Sequence, residues 1–207
     1  MATLKHINSK NADYGAAERY LMFEHDEITM KPVLDETGRF IPREDYRLST
    51  LNCGGEDFAV ACMRSNLRYG KNQRREDVKS HHYIISFGPR DGPDNGLTVD
   101  RAQELGEQFC KEHFPGHQSL VCTHPDGHNH SGNLHVHIVI NSLRIEEVNL
   151  LPYMDRPADT KDGCKHRCTD AAMRYFKSEV MEMCYREGLY QIDLLNGSKN
   201  RVTDREY

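Results

Sequence analysis

The run Leu134-His135-Val136-His137-Ile138-Val139-Ile140-Asn141-Ser142 constrains this chain more than any other stretch. It is rich in β-branched residues and its first polar side chains recur at every second position, which reads as a β-strand. Residues two apart in a strand project from one face, with Cα atoms about 7 Å apart. His135 and His137 therefore point the same way, while Val136, Ile138 and Ile140 point the other way, toward a core. The segment Gln118 to His124 reads as the preceding strand. The turn-rich Asp126-Gly127-His128-Asn129-His130-Ser131-Gly132-Asn133 joins the two, so a β-hairpin brings His124 alongside the pair.

Three neutral imidazoles that leave coordination positions open describe a catalytic metal site rather than a closed structural one. By ligand preference alone they suit zinc or another transition metal. Asp126, two residues after His124, is the expected outer partner. Its carboxylate can fix the tautomer of a ligating ring or, near a hydroxyl, take a proton, and both roles stay open. His128 and His130 read as solvent-exposed loop residues.

The rest of the sequence supplies a scaffold for that strand pair. A short strand through Leu4, His6 and Asn8 precedes a helix from Ala12 to Phe23, and Met30 to Leu51 reads as an irregular connection or hairpin. Glu56 to Tyr69 is a helix stopped by Gly70. His82-Tyr83-Ile84-Ile85-Ser86-Phe87 is a strand, followed by a loop through Gly96. Thr98 caps a helix to Phe114 that buries Ala102, Leu105 and Phe109, and Thr169 caps a long helix with Ala172, Phe176, Val180 and Met183 on its inner face. The expected architecture is α+β, a central antiparallel β-sheet with helices packed on one face and the histidine face left open to a substrate. The 207 residues fit one domain, expected over 1–195, with a polar tail at 196–207 leading into a further C-terminal region.

Composition narrows the function classes. No apolar run approaches the roughly 18 residues of a spanning helix, so the expected compartment is the cytoplasm. Seven cysteines, an odd number, read as reduced thiols, and Cys164-Lys165-His166-Arg167-Cys168 lacks a matching second pair for a metal. The net charge of -5 argues against indiscriminate nucleic-acid binding. Locally, however, Arg64, Arg68, Lys71, Arg74, Arg75 and Lys79 face only Glu76 and Asp77, a basic strip able to neutralise phosphates.

His124-Pro125-Asp126 and His135-Val136-His137-Ile138-Val139-Ile140-Asn141 together resemble the signature of MobA/VirD2-type mobilisation relaxases, the MOBP-like branch of the HUH endonuclease superfamily. Tyr20-Leu21 on an early helix, Leu51-Asn52-Cys53 before a helix, the His82 to Phe87 strand and Leu97-Thr98 resemble it too, in family order over most of residues 1–145. The eleven positions from His124 to His135 make a longer loop than is usual there.

The resemblance implies an HUH relaxase-like fold and a particular chemistry. The Tyr20 hydroxyl would attack one phosphodiester of single-stranded DNA at a transfer origin, leaving a 5′-phosphotyrosyl link and a free 3′-hydroxyl that start conjugative transfer. It implies one Mg²⁺ or Mn²⁺ ion on His124, His135 and His137. It also implies an accessory DNA-binding protein and a type IV secretion coupling protein as partners. Tyr14, near the start of the same helix, is the second choice of nucleophile.

Three alternatives stay open on the residues. A rolling-circle replication initiator shares the metal site but places its tyrosine after the histidine pair, where Tyr175 and Tyr185 lie. A metal-dependent nuclease of the kind suggested by His128-Asn129-His130 would use water and form no adduct. A non-catalytic metal-binding module would leave DNA intact.

Overall fold

A computed structural model of the chain describes residues 2–26, 29, 31–125 and 133–196. Five strands, β1 (Thr3–Ser9), β2 (Arg47–Leu51), β3 (Ser80–Ser86), β4 (His117–His124) and β5 (His135–Arg144), form one sheet in the order β1-β3-β5-β4-β2. Every neighbouring pair is antiparallel. The histidine strand β5 is thus the middle strand, hydrogen-bonded on both sides.

The helices are α1 (Gly15–Met22), α2 (Phe58–Tyr69), the short α3 (Asp91–Asn95), α4 (Val99–His113) and α5 (Asp170–Arg186). The expected caps are in place. Thr98 accepts from the Arg101 N–H and Thr169 from the Ala172 N–H, each satisfying an amide that the first helical turn leaves without a partner. Gly70 closes α2 in the left-handed region.

On one face, Val136, Ile138 and Ile140 of β5 join Val121, Tyr83, Ile85 and Leu4 beneath α4 and α5, which contribute Ala102, Leu105, Phe109, Ala172, Phe176 and Val180. Gly106 lets α4 sit against β5, because a Cβ there would lie 2.3 Å from Val136 Cγ1.

The opposite face corrects the expectation that helices gather on one side only. There Leu120, Cys122 and Val139 pack against Leu21 of α1, against Phe58, Ala61 and Cys62 of α2, and against Tyr14 and Cys53 beside them. The reason lies in β5 itself: Val139 shares a face with the histidines, so the strand is apolar on both sides beyond His137, as strands buried on both faces are. The histidine face is therefore covered by α1 and α2 over its apolar half.

Two smaller differences come from short elements. β2, at the edge beside β4, lies inside the segment read as irregular; five half-polar residues carry little periodic signal. The hairpin reading of the same segment holds where Leu34 bridges Phe40, and the pairing reaches back beyond it, with His25 bridging Pro32 and Phe23, read as the end of the first helix, bridging Pro42. Helix α3 occupies the stretch read as a loop before Gly96.

Candidate active site

The histidines meet at one end of the sheet. His124, the last residue of β4, is the direct cross-strand partner of His135, the first residue of β5. The His124 and His137 ring centroids lie 4.9 Å apart, and those of His135 and His137 lie 6.5 Å apart. His124 and His137 are buried, and His135 is half-buried.

A fourth ring belongs to the group. His82 of β3 approaches His137 from the other side, with Nε2 2.9 Å from His137 Nδ1 and centroids 5.1 Å apart. Burial holds His137 well below the ordinary histidine range, reinforced by His82, and His82 is pushed down to about 4, again mainly by burial. Both rings are neutral at pH 7, the state in which imidazole binds a metal ion. His82 was missed as a site residue because only the β3–β5 register, which sets Ile84 opposite His137, brings it close. The alternation His82-x-Ile84 on a strand was the available signal.

As they stand, no three His, Cys, Asp or Glu side chains among the described residues are grouped so as to hold an ion. The donor set nevertheless fits one: several neutral imidazoles on adjacent strands at one sheet end. His124 donates from Nε2 to the Leu21 carbonyl at 2.7 Å, which leaves Nδ1 as its lone-pair nitrogen. Asp126, His128 and His130 lie outside the described residues.

That bond to the Leu21 carbonyl also ties α1 to β4 one residue beyond Tyr20. The two tyrosines of this region differ sharply. Tyr14 is buried, its hydroxyl accepts from Asn66 Nδ2 at 2.5 Å, and burial pushes its pKa far above 10. Tyr20 is half-buried and lines a cavity of about 200 Å³ between α1 and the hairpin made by the bridged residues 23–25 and 32–42. Tyr175 and Tyr185 sit on α5, which packs on the other face of the sheet.

Arg43 is a further cation that the sequence did not single out. Its backbone N–H donates to the Met22 carbonyl at the end of α1, and its charge acts on both His137 and Cys122. The basic strip is elsewhere. Asn72, within it, bonds Ser142 at the far end of β5, seven residues beyond His135 and so roughly 20 Å along the strand. Arg64 pairs with Glu56, Arg68 lies over the Tyr69 ring, and Lys71, Arg74 and Arg75 are exposed. Lys79 is buried, its ammonium donating to the Arg74 and Asp77 carbonyls. The seven cysteines are free, and His166 packs against His81 and Tyr83 in the interior.

Comparison with known proteins gives three findings. Residues 42–170 match the family model described as Relaxase: MobA/VirD2-like, nuclease domain, more than half of the chain. Two curated relatives, both Protein rlx of Staphylococcus aureus, are 32% identical over 98 residues and 34% identical over 99 residues. Each match takes in 47% of this chain but only 27% and 26% of the relative, so the chain spans about a quarter of their length. A solved structure described as "Molecular Basis of Vancomycin Resistance Transfer in Staphylococcus aureus" has the same fold, with a TM-score of 0.52 at 12% identity over 90% of this chain and 92% of that one.

Proposed function

Because the chain belongs to the relaxase family of MobA/VirD2-like nuclease domains, we propose that it nicks and rejoins one strand of DNA at a transfer origin through a tyrosine-linked intermediate. The observation that carries this reading is the in-register pairing of His124 with His135, next to His137 and beneath the helix that bears Tyr20.

In the proposed reaction the Tyr20 oxygen bonds to phosphorus while the bond from phosphorus to the 3′ oxygen breaks. The phenol's proton passes to a base and the 3′ oxygen takes one up, giving a 5′-phosphotyrosyl link and a free 3′-hydroxyl. Attack by that hydroxyl reverses the step, so no bond energy is lost to water. Asp126, which could instead fix the tautomer of a ligating ring, is one candidate for that base. A phenol with an ordinary pKa near 10 needs such help at neutral pH.

His124, His135 and His137 would hold one divalent ion, Mg²⁺ or Mn²⁺ in this reading, which when bound polarises the non-bridging phosphate oxygens. If His137 donates from Nδ1 to His82 Nε2, the His137 Nε2 lone pair is free for ligation. His82 then plays the orienting part that outer partners of ligating histidines play. Arg43, whose charge is felt at His137, would add positive potential for a phosphodiester bound there. Arg64, Arg68, Lys71, Arg74 and Arg75 would contact the strand away from the nick. An accessory DNA-binding protein and a secretion coupling protein complete the proposal as partners of the longer proteins that this chain resembles.

The placement of Tyr175 and Tyr185 on the opposite face favours this order of parts over a rolling-circle initiator. A strand-transfer assay separates rejoining from hydrolysis. The protein is incubated with Mn²⁺ and labelled single-stranded oligonucleotides tiling the non-coding DNA next to its reading frame, and a second strand of different length with a free 3′-hydroxyl is then added. Recombinant strands are expected. Cleavage products that never rejoin would place the chain among water-using nucleases.

A further inference from the structure

Beside the proposed nucleophile lies a cavity of about 200 Å³ whose walls are largely aromatic. Arg19, Tyr20 and Phe23, on one stripe of α1 and its C-cap, form one wall; His25 and Phe40 of the hairpin form the other. Tyr20 and His25 lie 5.0 Å apart at 55°, and Phe23 and Phe40 lie 5.4 Å apart at 51°, so neither pair is stacked face to face. Phe40 keeps 41% of its surface exposed, high for an aromatic ring in a folded domain.

The walls are fixed by backbone bonds. The Glu24 N–H donates to Ile41 at 2.8 Å, the Val33 N–H to Glu24 at 2.9 Å and the Ile41 N–H to Val33 at 3.2 Å. The His25 tautomer is fixed as well, because Nδ1 lies 2.9 Å from the Phe23 carbonyl and must donate, leaving Nε2 as an acceptor. The cavity thus combines flat apolar faces with one acceptor and the edge of the Arg19 guanidinium, whose Nη2 already donates to Asp13 and whose other N–H groups are the remaining donors. That chemistry matches a single unpaired nucleobase, with a π-face to stack and an edge to bond.

We propose that this cavity binds one base of the cleaved strand, stacked on Phe40, and so sets the strand's register at the nick. The occupant follows from position: Tyr20 lines the cavity, so a phosphodiester within reach of its hydroxyl brings the adjoining base to the same walls. The inference rests on the assignment of Tyr20 as nucleophile.

The chain contains no tryptophan, so Phe40→Trp supplies a single fluorescent reporter in a half-exposed position. It is titrated with short oligothymidylate, oligodeoxyadenylate and an abasic oligomer bearing the same number of phosphates. Saturable quenching by at least one base-containing strand and none by the abasic one is expected. Phe40→Ala should weaken binding of that strand about tenfold, leave abasic binding unchanged, and keep the difference at raised salt. Equal quenching by the abasic oligomer, or unchanged affinity in Phe40→Ala, would overturn the proposal. Selective quenching by a protein that forms no covalent adduct would sink the nicking reading while leaving the base site standing. An adduct without selective quenching would do the reverse.

Discussion

At the scale of single residues, two tyrosines on one short segment are separated by burial. Tyr14 is bonded to Asn66 inside the core, whereas Tyr20 is half-buried at the mouth of a cavity. Tyr14→Phe should therefore retain adduct formation but lose about 1–3 kcal/mol of stability, since the Asn66 amide is left unsatisfied, which urea denaturation measures. His82 makes a second case. If it orients His137, His82→Ala should weaken Mn²⁺ affinity about 10- to 100-fold with the fold intact, measured by calorimetric titration; unchanged affinity would reduce the contact to packing. The sequence revealed the three ligating candidates because His-x-His on a strand and a His ending the strand before it are local patterns. It concealed His82 and Arg43, whose proximity depends on strand register and on a bond from the Arg43 amide to Met22.

At the scale of elements, the alternation of β5 was readable, yet its consequence was only half drawn. Val136, Ile138 and Ile140 announced a core under α4 and α5, and the same run carries Val139 on the histidine face, where α1 and α2 pack. Helix starts were legible at Thr98 and Thr169, whose side chains make the caps, but the Asp57 cap of α2 was passed over and that helix read as starting at Glu56. Edge strand β2 was not, because a short strand with one pairing partner leaves little pattern. The contact between α4 and β5 depends on Gly106. Gly106→Ala forces a methyl group onto Val136 and should cost about 1–3 kcal/mol, read as a lower urea midpoint with an unchanged slope. An unaltered midpoint would mean that the helix can lift off the sheet at no cost.

At the scale of the whole molecule, burying histidines makes folding sensitive to acid. Burial pushes His117 down to about 3 and His113 down to about 4, and holds His166 well below its ordinary value. From about pH 6.5 downward the unfolded chain binds protons that these rings refuse, so stability is fully present above that pH and is lost as the pH falls. The slope is about 1.4 kcal/mol per pH unit for each ring titrating only when unfolded. Glu18, raised to about 7 by burial and Asp57, and Glu179, raised by burial, oppose this with the reverse sign, but they are outnumbered by the lowered rings, which also include His6, His81, His82 and His137. Urea midpoints measured in EDTA should fall steadily between pH 7 and pH 5; a flat profile would mean that the rings are protonated in place. The central claim also belongs to this scale, because the proposed nucleophile Tyr20 is on α1 and the histidines are on β4 and β5. The direct test incubates wild-type protein, Tyr20→Phe and Tyr14→Phe with the tiled single-stranded oligonucleotides, in Mn²⁺ or EDTA, and resolves covalent adducts on a denaturing gel. The account predicts a Mn²⁺-dependent adduct in the wild type and Tyr14→Phe that is absent from Tyr20→Phe. An adduct surviving in Tyr20→Phe, or cleavage without any adduct, would contradict it.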